Sequence, residues 1–233
     1  MSGEFADRHV VVTGGTGALG SAVVGGLLER GAVCHVPVLD EKELDSFAHA
    51  GHERVRIVTN VDLADEEAAG SFFAGAPSVW ASLHIAGGFA MGAFEKISLD
   101  AYRKMMDMNA TTCFLCCREA VKRMRESGAG GRIVNVSAGP AIHPAGGMVA
   151  YSTSKAAVAS ITQCVAAEVR DEGIWVNAVI PSIMDTPANR EAMPSADHAK
   201  WPKTGEVAET MLFLASPRNA VTTGALVPVA GRT

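Results

Sequence analysis

Tyr151 and Lys155 stand four residues apart in the stretch Tyr-Ser-Thr-Ser-Lys, about two-thirds of the way along a chain of 233 residues. On a helix this spacing puts both side chains on one face, a single turn from each other. The pairing suits proton transfer. A free tyrosine hydroxyl has a pKa near 10 and does little acid–base work at neutral pH. A lysine ammonium about 4 Å away, in a cleft of effective dielectric about 20, is worth roughly 4 kcal/mol. That equals about three pKa units, enough to let the phenol exchange a proton with a carbonyl or alcohol oxygen. Two solvated side chains can share the same spacing, so the pair takes its meaning from what the rest of the chain supplies.

The chain opens on a second chemical element. Residues 8–12, Arg-His-Val-Val-Val, read as a buried strand that ends in Thr13-Gly14-Gly15-Thr16-Gly17-Ala18-Leu19-Gly20. An amphipathic helix follows to about residue 30 and is closed by Gly31. Gly15, Gly17 and Gly20 satisfy G-x-G-x-x-G between a strand and a helix. There, backbone N–H groups and the helix dipole form a cradle for a pyrophosphate.

The elements that must position these groups alternate. Strands are predicted at 32–36, 55–58, 79–85, 132–136, 174–180 and 226–229. Helices are predicted at 40–49, over a long segment at about 99–126 that contains Asn109, from Tyr151 to about 171, and at 206–216. This rhythm implies a single α/β domain over residues 1–233, a doubly wound parallel β-sheet with helices on both faces. Ligands would sit at the carboxyl ends of the strands. A composition rich in Gly and aliphatics but only 6% aromatic suits such closely packed layers. The net charge of −5 and the lack of a Lys/Arg run argue against a nucleic-acid partner. No apolar stretch approaches 18 residues, so no membrane span is expected, and a soluble, cytoplasmic protein is. Cys113, Cys116 and Cys117 cluster on the long helix without a His or a fourth Cys in a spaced pattern. The expectation is therefore small core and interface residues of a reduced protein, with no metal.

Taken together, these motifs resemble the short-chain dehydrogenase/reductase family over nearly the whole chain. The residues that carry the resemblance are T-G-x-x-G-x-x-G at Thr13 to Gly20, Asp62-Leu63, Ala86-Gly87, Asn109, Tyr151 with Lys155, and Pro181 with Thr186. The resemblance implies a Rossmann fold, NAD or NADP as cofactor, and hydride transfer between nicotinamide and a small carbonyl or alcohol substrate. The cofactor would lie against Gly14, Thr16, Gly17, Leu19 and Gly20. It further implies that Asp62 binds the adenine amino group with Leu63 beside the ring, and that Ala86 and Gly87 line the adenosine ribose and phosphate region. Met184 and Thr186 would hold the carboxamide. Lys155 would hold the nicotinamide ribose and tune Tyr151, and the main-chain carbonyl of Asn109 would bind water on a proton path. A homodimer or homotetramer is implied, formed by the long helix and the Tyr151 helix, with Ala156, Ala157, Ala159 and Ser160 permitting close approach.

Three departures stand out. The family's serine beside the tyrosine is either Ser137, if the following loop is one residue longer, or is replaced by Ala138. Dihydropteridine reductases, a branch of the family, also lack it, and their loop is similar to Gly17-Ala18-Leu19-Gly20. At the end of the second strand the slot that would choose NAD or NADP falls near Val38, with Asp40 two places late and Lys42 beyond. The usual Asn-Asn before Ala86-Gly87 is His84-Ile85, and Ser182 replaces the usual Gly after Pro181; His84 is expected to be a packed, hydrogen-bonded residue. Phe89, Met91, Phe94, His143, Met148 and a segment at about 182–205 are the candidate substrate lining. The leading reading is an NAD(P)-dependent oxidoreductase with a Tyr/Lys proton relay. The alternatives are a quinonoid dihydropteridine reductase-like enzyme and a dinucleotide-binding sensor or scaffold without turnover.

Overall fold

The computed structural model describes residues 3–233. Seven strands, β1 (His9–Thr13), β2 (Val33–Pro37), β3 (Val55–Val58), β4 (Val79–His84), β5 (Gly131–Val136), β6 (Ile174–Pro181) and β7 (Leu226–Val229), form one sheet in the order β3-β2-β1-β4-β5-β6-β7. Every pairing is parallel. The central strands are buried on both faces, which is why Val10–Val12 and Ile133–Val134 read as unbroken aliphatic runs rather than alternating ones. The chain reverses its direction of travel across the sheet between β1 and β4, and a crevice opens there beyond the strands' carboxyl ends. Register places Thr13 beside His84, and His84 in turn beside Asn135.

Helices cover both faces. On one side α1 (Ala18–Glu29) packs against α8 (Thr204–Ala215) over a core of Val23, Val24, Leu27, Met211 and Leu212. On the other side α2 (Glu66–Ala74), α4 (Thr112–Ser127) and α6 (Val149–Val169) enclose Phe72, Phe73, Met124 and Ile133. The short helices α5 (Gly139–Ile142) and α7 (Pro187–Ala192) follow β5 and β6.

The fold departs from the sequence reading in three places. Helix α2 was absent from that reading, although Asp65 caps it by accepting from the Ala68 N–H at 2.8 Å and Ala69, Phe72 and Phe73 form its buried stripe. The helix expected at 40–49 is a 3₁₀ turn over Glu41–Ser46, because Asp40 and Glu43 cap each other's backbone and Phe47 then turns inward. The long helix at 99–126 is α3 (Leu99–Met106), a π turn over Asp107–Thr111, and then α4. The extra residue of that turn falls at Asn109, where such insertions re-aim side chains.

Candidate active site

A cavity of about 500 Å³ lies in the crevice between β1 and β4, lined by Gly14, Thr16, Gly17, Leu19, Gly20, Asp62, Leu63, Ala86 and Gly87. These are nine of the residues that the sequence assigned to a dinucleotide. The loop is held tight at Gly20, where a Cβ would stand 2.0 Å from the Gly14 carbonyl oxygen. Thr13 ties the loop to β4 by accepting through Oγ1 from the N–H groups of Ile85 (3.1 Å) and Ala86 (3.2 Å). Helix α1 has no side-chain cap and no acidic residue in its first turn, so its leading N–H groups and its dipole face the cavity. At Gly17 a Cβ would meet protein only at the Gly14 carbonyl, 3.5 Å away, and would otherwise occupy open space. An uncapped helix N-terminus over a glycine-lined hollow fits the pyrophosphate of NAD or NADP. Asp62, on the cavity wall, accepts through Oδ1 from the Ala64 N–H at 2.9 Å.

Helix α6 carries both Tyr151 and Lys155; neither lines this cavity, but Lys155 Nζ approaches Gly87, which does. Lys155 is buried and donates through Nζ to the Val136 carbonyl at 2.9 Å. Burial pushes its pKa down to about 8, opposed by the nearby Cys113. Tyr151 lies edge-on to Phe89, ring centroids 4.9 Å apart. Burial pushes its phenol up, and the lysine ammonium is engaged with the Val136 carbonyl. Among the described residues no side chain hydrogen-bonds the Tyr151 hydroxyl. Asn109 Nδ2 donates to Ser154 Oγ (3.0 Å) and to the Gly88 carbonyl (3.1 Å), and its Oδ1 accepts from the Gly88 N–H (3.0 Å). Ser154 Oγ in turn donates to the Tyr151 carbonyl at 2.8 Å. Asn109 thereby pins the loop after β4 to the first turn of α6. Gly87 joins the two halves of the site: it lines the cavity, and a Cβ on it would meet Asn109 Oδ1 at 2.4 Å and Lys155 Nζ at 3.3 Å.

With this geometry in hand, comparison with known proteins is decisive. The short chain dehydrogenase family profile matches residues 8–197. The chain belongs to the short-chain dehydrogenase family. It is 31% identical to a cis-4-hydroxycyclohexanecarboxylate dehydrogenase of Sinomonas cyclohexanicum, covering 99% of this chain and 98% of that one. It is 34% identical to a galactitol 2-dehydrogenase of Rhizobium johnstonii, covering 95% and 93%. A solved short chain dehydrogenase/reductase family protein superposes with a TM-score of 0.90 at 29% identity, covering 98% of this chain and 97% of that one. This dehydrogenase is thus an NAD(P)-dependent oxidoreductase acting on a small alcohol or carbonyl compound.

Other expected residues fall elsewhere in the dehydrogenase. Met184 and Thr186 do not line the cavity; Met184 packs against the α1/α8 core, and Thr186 caps α7 by accepting from the Asn189 N–H at 3.2 Å. Ser137 is buried and donates its hydroxyl to the Lys155 main-chain carbonyl at 2.8 Å, so it bonds the helix backbone and not the phenol. Val38 is buried, and Asp40 is used as a cap. Glu43, which the sequence reading passed over, lines the cavity instead, and Thr16 Oγ1 donates to its carboxylate at 2.5 Å. Its position 23 residues after Gly20 was the available signal, since an acidic residue about that far on binds a ribose in this architecture. The segment at 182–205 is tied down by a bidentate Arg190–Asp185 pair (2.5 and 2.9 Å) and by buried Trp201.

Proposed function

We propose that Tyr151 exchanges the proton and Lys155 positions the cofactor ribose in reversible oxidation of a secondary alcohol with a largely apolar body. The observation that carries this reading is the convergence of Lys155 Nζ and Asn109 Oδ1 on Gly87 at the rim of the glycine-lined cavity. The nicotinamide, when bound, supplies or accepts the hydride. The chain's own part is to hold the dinucleotide through the α1 N-terminus and Asp62, and to present a phenol. Because burial keeps that phenol protonated, it is suited to donate to a developing alkoxide in the reductive direction. The lysine ammonium, when freed from Val136 by a ribose, can carry out both of its tasks. Asn109 would relay protons from the far side of Lys155.

Phe89, which lies edge-on to Tyr151, is exposed, and this supports an apolar substrate body. Both relatives named above are dehydrogenases whose names specify hydroxylated carbon compounds. With Ser137 turned to the helix backbone and Ala138 next to it, the carbonyl is polarised by Tyr151 without a serine partner. Glu43 at the cavity wall supports NAD over NADP. No described helix is long and apolar enough to cross a membrane, and a homo-oligomer in the cytoplasm is part of this proposal.

The test is dinucleotide turnover with a panel of ketones, quinones, secondary alcohols and quinonoid dihydropterin. Tyr151→Phe should keep cofactor binding and lose turnover about 100-fold or more, since the proton transfer alone is removed. Ser137→Ala should change turnover only a few-fold, far less than loss of an oxyanion donor. Full activity in Tyr151→Phe would overturn the mechanism. A loss of about 100-fold in Ser137→Ala would restore the serine to the site.

A further inference from the structure

The cysteines that looked incomplete in sequence acquire a partner in the fold. Cys113 and Cys117 sit one turn apart on α4, and the β4 strand beneath presents His84 to them. The three ligand atoms lie within 4.8 Å of one another, and all three residues are more than nine-tenths buried. Cys113 Sγ and Cys117 Sγ are 4.0 Å apart, and Cys117 Sγ is 3.5 Å from His84 Nδ1. Asn135 Oδ1, from the neighbouring strand β5, lies 3.5 Å from Cys117 Sγ and 2.8 Å from His84 Nδ1. Around a zinc ion with bonds of about 2.3 Å to sulfur and about 2.1 Å to nitrogen or oxygen, tetrahedral edges are about 3.8 Å for S–S, 3.6 Å for S–N or S–O, and 3.4 Å for N–O. Three edges of such a tetrahedron are therefore already present to within about half an ångström, and the fourth, between His84 Nδ1 and Asn135 Oδ1, is shorter.

We propose that His84, Cys113 and Cys117, with Asn135 Oδ1 as fourth donor, form a binding site for one thiophilic divalent cation such as Zn²⁺. The surroundings are those of a ligand set held in place. His84 Nε2 lies 2.7 Å from Ser82 Oγ, and Asn135 Nδ2 donates to Thr162 Oγ1 at 2.8 Å. These contacts fix the imidazole ring and the amide orientation, as outer-shell partners of metal ligands do. The protonation accounting closes without burying net charge. Without the ion, His84 Nδ1–H donates to Asn135 Oδ1, and Nε2 accepts from Ser82. With the ion, the imidazole takes its other neutral tautomer, Nδ1 binds the metal, and Nε2–H donates to Ser82 Oγ. The two thiols release two protons to solvent, and the resulting thiolates balance the cation's two charges. Cys116 and Cys164 stand outside the cluster.

The site is independent of the assignment of Tyr151, and its test needs no substrate. Reduced, metal-free full-length protein is titrated anaerobically with Co²⁺ and followed by absorption. One equivalent per chain should give a thiolate-to-cobalt charge-transfer band and the visible bands of four-coordinate cobalt, both abolished by one equivalent of Zn²⁺. Zn²⁺ should also raise the melting temperature of the wild type. Cys113→Ser and Cys117→Ser should each weaken Co²⁺ binding by about 100-fold or more, while Cys116→Ala and Cys164→Ser keep it. If wild-type protein gives no charge-transfer band at millimolar Co²⁺, or if the band survives when both Cys113 and Cys117 are serine, the site does not exist. The first of these outcomes involves no substitution, so a folding defect in a variant cannot obscure it.

Discussion

Two side chains in the site have properties set by what they touch more than by their type. Lys155 is the sharper case. Its pKa falls from 10.5 to about 8 because the ammonium is removed from water; in its buried position it donates to the Val136 carbonyl. For a base depressed on folding, the folded chain loses its proton near pH 8 while the unfolded chain keeps one to about 10.5, so stability rises with pH across that window and is reduced below it. Lys155→Met keeps the stem and removes the charge. After allowing for the lost hydrogen bond, it should be more stable than the wild type at pH 7 by on the order of 2 kcal/mol. Denaturant melts from pH 7 to 10 should show that margin shrinking as pH rises; a wild type at least as stable as the variant at pH 7 would contradict it. Glu43 makes a parallel case for the cofactor. A carboxylate on the wall of the cavity repels a 2′-phosphate but can accept from a ribose hydroxyl. The ratio of kcat/KM for NADH over NADPH should exceed about 10, and Glu43→Gln, which retains an acceptor for the Asp40 N–H, should lower that ratio severalfold. A wild type that prefers NADPH would remove Glu43 from this role.

Helix α1 and the segment from α3 to α4 do different work. The first offers bare N–H groups to an anion, and its glycines keep the approach clear. Gly17→Asp should leave the melting temperature of the ligand-free protein nearly unchanged, because a Cβ meets nothing closer than 3.5 Å. The same substitution should abolish the rise in melting temperature that NAD(H) or NADP(H) gives the wild type, since it puts a negative charge in the phosphate path. Retention of that rise would mean that the anion binds elsewhere. The second segment is one continuous helical run interrupted by a π turn. Without that turn the i→i−4 ladder would run unbroken past Asn109, and its amide would not be offset to reach both Gly88 and Ser154.

Helices α6 and α4 each leave part of a face uncovered. Along α6 the residues Thr153, Ala156 and Ser160 are exposed and small, at the i, i+3, i+7 spacing of a helix-packing stripe, while Ala159, also expected to face a partner, is buried in this chain's own core. On α4, Phe114 remains about half exposed. These faces support association through α4 and α6. Light scattering at micromolar concentration should give a dimer or tetramer, and Ala156→Arg together with Ser160→Arg should shift it toward monomer. A monomeric wild type would leave the oligomer proposal without support.

What could be read from the sequence was what local chemistry dictates. A β-strand, a glycine turn and a helix start within 30 residues point to a nucleotide loop, and the order of Asp62, Gly87, Asn109 and Tyr151 along the chain carried the family with it. The strand pattern and the parallel sheet followed from unbroken aliphatic runs alternating with helices. Helix α2 was legible in principle, through its Asp65 cap and its Phe72/Phe73 stripe, and was missed. The remaining features depended on which strands become neighbours and in what register. Neither is written in any short segment. Pairing β4 with β5 sets His84 against Asn135, and packing α4 on β4 delivers Cys113 and Cys117 to the same point. The cavity wall that receives Glu43 exists only once the 3₁₀ turn folds back over Thr16. Likewise, the choice of Ser137 for the Lys155 carbonyl, and of Lys155 for Val136, is made by the packing of α6 on β5. Periodicity and backbone preference act over a few residues, whereas hydrogen bonds in a buried site are chosen among neighbours that only the packed sheet brings together.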